Sequence, residues 1–325
     1  MGFGTDMGVA GSEPIHGFAD QFQIAREKTD QLKRWFDARS NRKILRRKDE
    51  PTHAMIDWTH WHNEPILIGG LIFLGWLYAI LTGPWRDRLA PPGTPYPRRQ
   101  AICFYSGLLC FYLAVGSPLD QIAERFLLSA HMLQHQIIMY PAAILFLFGL
   151  PDWLLKPVTG WPPLQPTLRV LLHPVSCGII ATVVLTVWHL PFLYDWALQD
   201  RLVHIAEHFM LFGSGLFFWW PLYSPSRDFP AVSYASQMLY LPAVAIGMTP
   251  VFAYITFSSD VLYPTYEYAP RITSMSAAGD QLLAGSMMKL GGMAVMMTAF
   301  AISFYHWYRE SEGKHPADGP ATRSA

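Results

Sequence analysis

Leu128-Ser129-Ala130-His131-Met132-Leu133-Gln134-His135 and Arg201-Leu202-Val203-His204-Ile205-Ala206-Glu207-His208 are the stretches that decide how this chain is read. Each places two histidines four residues apart, so both rings share one helix face, a turn apart. Each also sits in a run apolar enough to cross a bilayer. An ionisable ring in hydrocarbon is expensive, which makes it a functional candidate by default. One such pair can chelate a metal ion, and two pairs can converge on a shared site.

The composition around these pairs agrees with a membrane setting. Of the 325 residues, 51% are hydrophobic and 15% charged, against about a quarter charged in a soluble domain. Formal net charge is +0, so no basic field points to nucleic acid. Glycine motifs that cradle phosphates and a Ser/His/Asp pattern are missing. The first thirty residues lack an apolar core, so no cleavable signal peptide is expected. Cys103 and Cys110 lie about 10 Å apart along a helix, too far for a disulfide. Cys177 stands alone, and with no CxxC a thiol-based site is not expected.

The expected fold is all-α: a polytopic membrane protein of seven transmembrane helices behind a polar N-terminal tail. Seven hydrophobic segments, approximately 65–83, 100–116, 126–149, 171–190, 202–222, 234–257 and 281–307, each reach the roughly 20 residues a span needs. Residues 1–64 form a polar extension with a helix-like pattern over 18–47, residues 65–309 the seven-helix domain, and 310–325 a disordered tail. Short loops on one side carry Arg86, Arg88, Arg98, Arg99, Lys156, Arg169 and Arg227, with Arg309, Lys314 and Arg323 after the last span. The other side has Arg125, Arg201 and Arg271. This bias places the C-terminus in the cytoplasm and, with seven spans, the N-terminus outside. The tail, with ten Lys and Arg between Arg26 and Lys48, runs against that orientation.

Under this topology His131, His135, His189, His204 and His208 fall at one depth near the outer leaflet. Independent core histidines have no reason to share a level. Neutral imidazole suits copper, zinc, iron and nickel alike. Glu207 lies beside both rings of its pair, as a ligand or as an acceptor that fixes a tautomer. Glu124, at i−7 from His131, sits at the outer mouth. Met132 points about 100° away from its pair, and His173 reads as interfacial. His53, His60 and His62 lie in the extension before the first span. The methionines of the last span, Met287, Met288, Met293, Met296 and Met297, scatter around the helix as apolar filler. Lys289 falls near mid-membrane and should turn inward to a carboxylate or carbonyl.

Four runs of residues carry a resemblance. Ser129-Ala130-His131-Met132-Leu133-Gln134-His135, followed by Gly149-Leu150-Pro151, is the first. Trp188-His189-Leu190-Pro191 with Tyr194-Asp195 is the second. Glu207-His208-Phe209 with Gly215 and Phe218-Trp219-Trp220-Pro221 is the third, and Asp280-Gln281-Leu282-Leu283-Ala284-Gly285 the fourth. Together, over roughly 58–307, they resemble the CtaG-like seven-span membrane proteins associated with cytochrome c oxidase assembly. Lys289 departs from that pattern, and residues 1–57 have no counterpart in it.

The resemblance implies a protein of the bacterial inner membrane that helps to build active oxidase, with copper handling suspected. Its partners would be the lipid bilayer and an oxidase subunit or assembly intermediate, with no nucleic acid. The leading expectation is a non-catalytic assembly factor that binds a copper ion through His131, His135, His189, His204, His208 and Glu207. Two other functions use histidines in membrane helices: a haem b electron carrier and a His-box di-iron oxygenase. At most one haem fits, since stacking two a turn apart is sterically implausible. The boxes face outward and no adjacent His-His pair is present, which counts against the oxygenase.

Overall fold

The computed structural model describes residues 64–314 together with 56, 58, 59 and 61. His53, His60 and His62 and the helix-like stretch 18–47 lie outside the described residues. Among the described residues the chain is helical, without strands. In order the helices are α1 (Pro65–Thr82), α2 (Arg86–Leu89), α3 (Arg98–Gly116), α4 (Pro118–Arg125) and α5 (Leu128–Ile137). A π-turn over Ile138–Ala142 joins α5 to α6 (Ala143–Phe148). Then come α7 (Asp152–Thr159), α8 (Gln165–Leu171), α9 (Pro174–Trp188), α10 (Pro191–Gln199) and α11 (Arg201–Tyr223). The last three are α12 (Tyr234–Phe257), α13 (Pro264–Glu267) and α14 (Ala277–Lys314).

Six stretches are long and apolar enough to cross a membrane: α1, α3, α5 with α6, α11, α12 and α14. Large side chains on their outer faces, such as Ile72, Ile102, Leu239, Ile246 and Leu290, are exposed, as a multi-pass membrane protein requires. The fourth expected span differs in form. α9 has 15 residues, about 22 Å at 1.5 Å per residue, short of a hydrocarbon core of about 30 Å. Only together with α8 is it long and apolar enough to cross, and the two meet at a 64° bend. Pro174 is the cause: it cannot continue a helix from residue 173, and His173 instead caps α9 by accepting the Val175 amide at 3.3 Å. α14 continues to Lys314, past the point where a tail was expected to begin.

The π-turn has a local reason as well. Pro141 lies inside the helix and brings no amide hydrogen to the ladder, so the turn widens. The Met139 carbonyl is taken by Trp219 Nε1 at 3.0 Å. Gly215 lets α11 come this close, for a Cβ there would stand 2.8 Å from the Met139 oxygen. Asp280, buried at the start of α14, accepts the amides of Leu128 at 2.7 Å and Ser129 at 3.3 Å. It satisfies orphan donors at the head of α5. Gln134 Nε2 donates to the Ala114 carbonyl and to Asp120 Oδ1, both at 2.8 Å. These ties fix α5, the helix that bears His131 and His135. Lys289 turns to α12, donating to Thr249 Oγ1 at 2.7 Å and to the Ala245 carbonyl at 3.4 Å. Its partners are thus a hydroxyl and a carbonyl.

Candidate metal centre

Five histidines from α5, the end of α9 and α11 meet in one buried cluster. Ring centroids stand 4.5 Å apart for His131–His135 and 4.3 Å for His204–His208. Across helices they are 5.3 Å for His131–His204, 5.5 Å for His135–His208 and 5.2 Å for His135–His189. One ligand atom each from His131, His135, Glu207 and His208 lies within 4.8 Å of the others. Tetrahedral ligands about 2.1 Å from a metal stand about 3.4 Å from one another. The quadruplet is therefore within small side-chain adjustments of holding an ion.

The hydrogen bonds around the cluster decide which nitrogens are available. His189 Nδ1 stands 2.7 Å from the Leu185 carbonyl. A carbonyl only accepts, so this nitrogen carries the proton and His189 Nε2 presents a lone pair. His135 Nδ1, 3.4 Å from that lone pair, is the donor, which leaves His135 Nε2 bare in the neutral ring. Tyr266 repeats the logic for His131. Its hydroxyl donates to the Ala123 carbonyl at 2.7 Å, so it accepts from His131 Nδ1 at 3.0 Å. His131 Nε2 is then bare. His204 Nδ1 donates to Glu124 Oε1 at 2.8 Å, freeing His204 Nε2.

The inner atoms are the ones left over. Nε2 of His131, His135, His204 and His208 and both carboxylate oxygens of Glu207 are buried and find no hydrogen-bond partner among the described residues. Glu207 Oε1 stands 3.4 Å from His135 Nε2, so a carboxylate and a lone pair face each other. Buried polar atoms normally have partners, and leaving one without costs about 1–3 kcal/mol. One such atom each from His131, His135, Glu207 and His208, gathered within 4.8 Å of one another, fits a cation that all four can ligate, with His204 beside them. Outer nitrogens pinned by a hydroxyl, a carboxylate and a second ring are the support metal-binding histidines usually have.

Each of the six expected ligands now has a place. His131, His135, His208 and Glu207 form the inner quadruplet. His204 adjoins it from the mouth. His189 stands behind His135 and holds its tautomer. Met132, set aside by its angle, is fully buried with its sulfur 3.3 Å from His189 Nε2. Tyr266 went unread, and Tyr194 entered only as part of the second run, although Tyr194 Oη sits 3.2 Å from Tyr266 Oη. The signal was the hydroxyl-rich run Tyr263-Pro264-Thr265-Tyr266 in a loop at the same outer level. That loop is fastened inward: Tyr263 Oη donates to the His189 carbonyl at 2.9 Å, and Thr265 Oγ1 donates to Asp195 Oδ1 at 2.5 Å.

With this geometry in place, comparison with known proteins adds one finding. The profile of the cytochrome c oxidase caa3 assembly factor family (Caa3_CtaG) matches residues 76–310, a stretch that contains the whole cluster. No curated protein and no solved structure matches the chain.

Proposed function

Since the chain belongs to the cytochrome c oxidase caa3 assembly factor family, we propose that this member carries copper at its buried histidine cluster and passes it to an oxidase subunit or assembly intermediate during metallation. The ion is cargo, and the protein's part is to hold and release it without catalysis. One observation carries the reading: ligand atoms of His131, His135, His208 and Glu207 lie within 4.8 Å of one another in a buried pocket. His204 stands beside them, and the rings of His131, His135 and His204 are each fixed from behind. Imidazole and carboxylate also accept zinc or iron, and the oxidase context makes copper the cargo to test. The basic loops lie at the end away from the cluster, which supports a cytoplasmic C-terminus and a cluster near the outer face of a bacterial inner membrane.

The spacing of the rings also bears on haem. Axial pairs drawn across helices, His131 with His204 or His135 with His208, would need a macrocycle between them. The rings of the neighbouring turn, 4.3–4.5 Å away, occupy that plane, so the purified protein is expected to lack a Soret band.

Protein purified after anaerobic Cu(I) loading should hold about one copper per chain by elemental analysis. Replacing both His131 and His208 with Ala should bring copper to background. Cells lacking the protein should lose oxidase activity and regain part of it with added copper. A folded wild-type chain that never retains copper, in vitro or in cells, overturns the proposal.

A further inference from the structure

Within the buried quadruplet only His208 borders the cavity between α1 and α11. His131, His135 and Glu207 are essentially inaccessible, whereas His208 and His204 are 5% and 8% exposed. Those two line a cavity of about 60 Å³, whose other walls include Leu67 of α1, Val115 of α3 and Glu124 of α4. We propose that this cleft is the port through which the cation is exchanged, with His204 as the ligand that receives it and Arg201 as the gate. The inference rests on the copper reading above and says where and how the ion comes and goes.

Three independent features carry it. First, His204 Nε2 and His208 Nε2 are buried, lack partners among the described residues and belong to side chains that line the cavity. Second, Asp120 and Glu124 line the same cavity, and Glu124 also holds His204 Nδ1. Negative walls in a low-dielectric cleft concentrate cations. Third, the cavity's polarity runs one way only. Below it a second cavity of about 160 Å³ shares Leu67, Phe111 and Phe209 but offers no charged or ligating side chain. Of these two cavities, only the first offers an ion nitrogen and oxygen, between the cluster and the charged rim.

That rim is latched. Arg201, the first residue of α11, donates through Nε to Glu64 Oε2 at 2.7 Å, with a second guanidinium nitrogen also on that oxygen. Glu64 immediately precedes α1, so the pair ties α1 to α11 across the cavity. Arg201 is 57% exposed, and an exposed pair of this kind is weak enough to open readily. It also places a positive charge where a cation must pass.

The test follows release of Cu(I) from the full-length, detergent-solubilised protein to bathocuproine disulfonate, a water-soluble chelator read by absorbance. Leu67→Trp fills the cleft from α1 without replacing a ligand. It should leave copper content unchanged and slow release roughly tenfold or more, while the lipid-facing control Ile72→Trp releases at the wild-type rate. Arg201→Gln adds no bulk, removes the latch and its charge, and should speed release about two- to fivefold. Release from fully loaded Leu67→Trp at the wild-type rate overturns the port. Should Leu67→Trp fail to fold or load, an unchanged or slower rate in Arg201→Gln overturns it instead. A wild-type protein that takes up no copper overturns the underlying reading and the port with it, so copper content separates the two failures.

Discussion

The two ends of the helical bundle treat polar groups differently. Away from the cluster, Lys156 donates to Asp228 at 2.9 Å, Thr159 donates to the same carboxylate at 2.7 Å, and the Arg227 amide donates to Asp152 at 2.7 Å. Charges there answer one another and bind α7 to the loop after α11. At the histidine end, the outward-facing nitrogens of His131, His135 and His204 are equally well paired, but the inner atoms of the cluster have no hydrogen-bond partner among the described residues. Pairing that closes on itself serves structure. Pairing that stops one layer short, and leaves a matched set of lone pairs, prepares a place for a cation.

If that contrast is right, substitutions at the two ends should separate binding from stability. The largest effect is expected at Tyr266→Phe, which removes a hydroxyl without changing shape. It strips the acceptor from His131 Nδ1 and frees the ring to turn, so copper affinity should fall about 10- to 100-fold, measured by competition with a Cu(I) chelator. An unchanged affinity would mean that the outer shell has no part in binding. Gly215→Ala comes next. Its Cβ would meet backbone of the π-turn, so the melting transition should drop by an amount equivalent to about 1–3 kcal/mol, with smaller loss of copper affinity.

The smallest effect belongs to the other end. The Asp228 carboxyl is held below its ordinary value, first by the hydrogen bond from Lys156 and then by that from Thr159. Lys156 is raised, chiefly by its hydrogen bond to Asp228. A depressed carboxyl contributes stability above its unfolded value, near pH 4, and loses it as pH falls through the lower folded value. A raised lysine contributes below its unfolded value and loses that as pH rises through the higher folded one. Asp228→Asn should therefore lower the melting temperature slightly at neutral pH, with the difference from wild type vanishing in acid. Copper content should not change. A copper defect in Asp228→Asn would erase the distinction between the two ends.

Much of the fold was legible because apolar runs and their polar breaks follow from bilayer thickness. The spacing His131/His135 and His204/His208 put four rings on two inward faces, and loop charge put them at one end with His189. Glu124 and Glu207 were readable from helical spacing alone. Other features depend on partners far along the chain. The break before α9 shows that Pro174 ends one helix and starts another within what reads as one apolar run. Tyr266 reaches the cluster only because a loop some 130 residues after His131 folds over it. The role of His189 as support for His135, with Met132 beside it, is set by ring orientation, which spacing does not encode. Lys289 shows the same limit: an inward position was readable, but Thr249 as its partner was not.

X-ray absorption at the copper edge of the loaded protein tests the cluster most directly. Nitrogen and oxygen neighbours with the multiple-scattering pattern of imidazole, lost when His131 and His208 become Ala, are the expected result. A sulfur-dominated shell, or copper that persists unchanged in that double variant, would place the ion elsewhere and contradict the account.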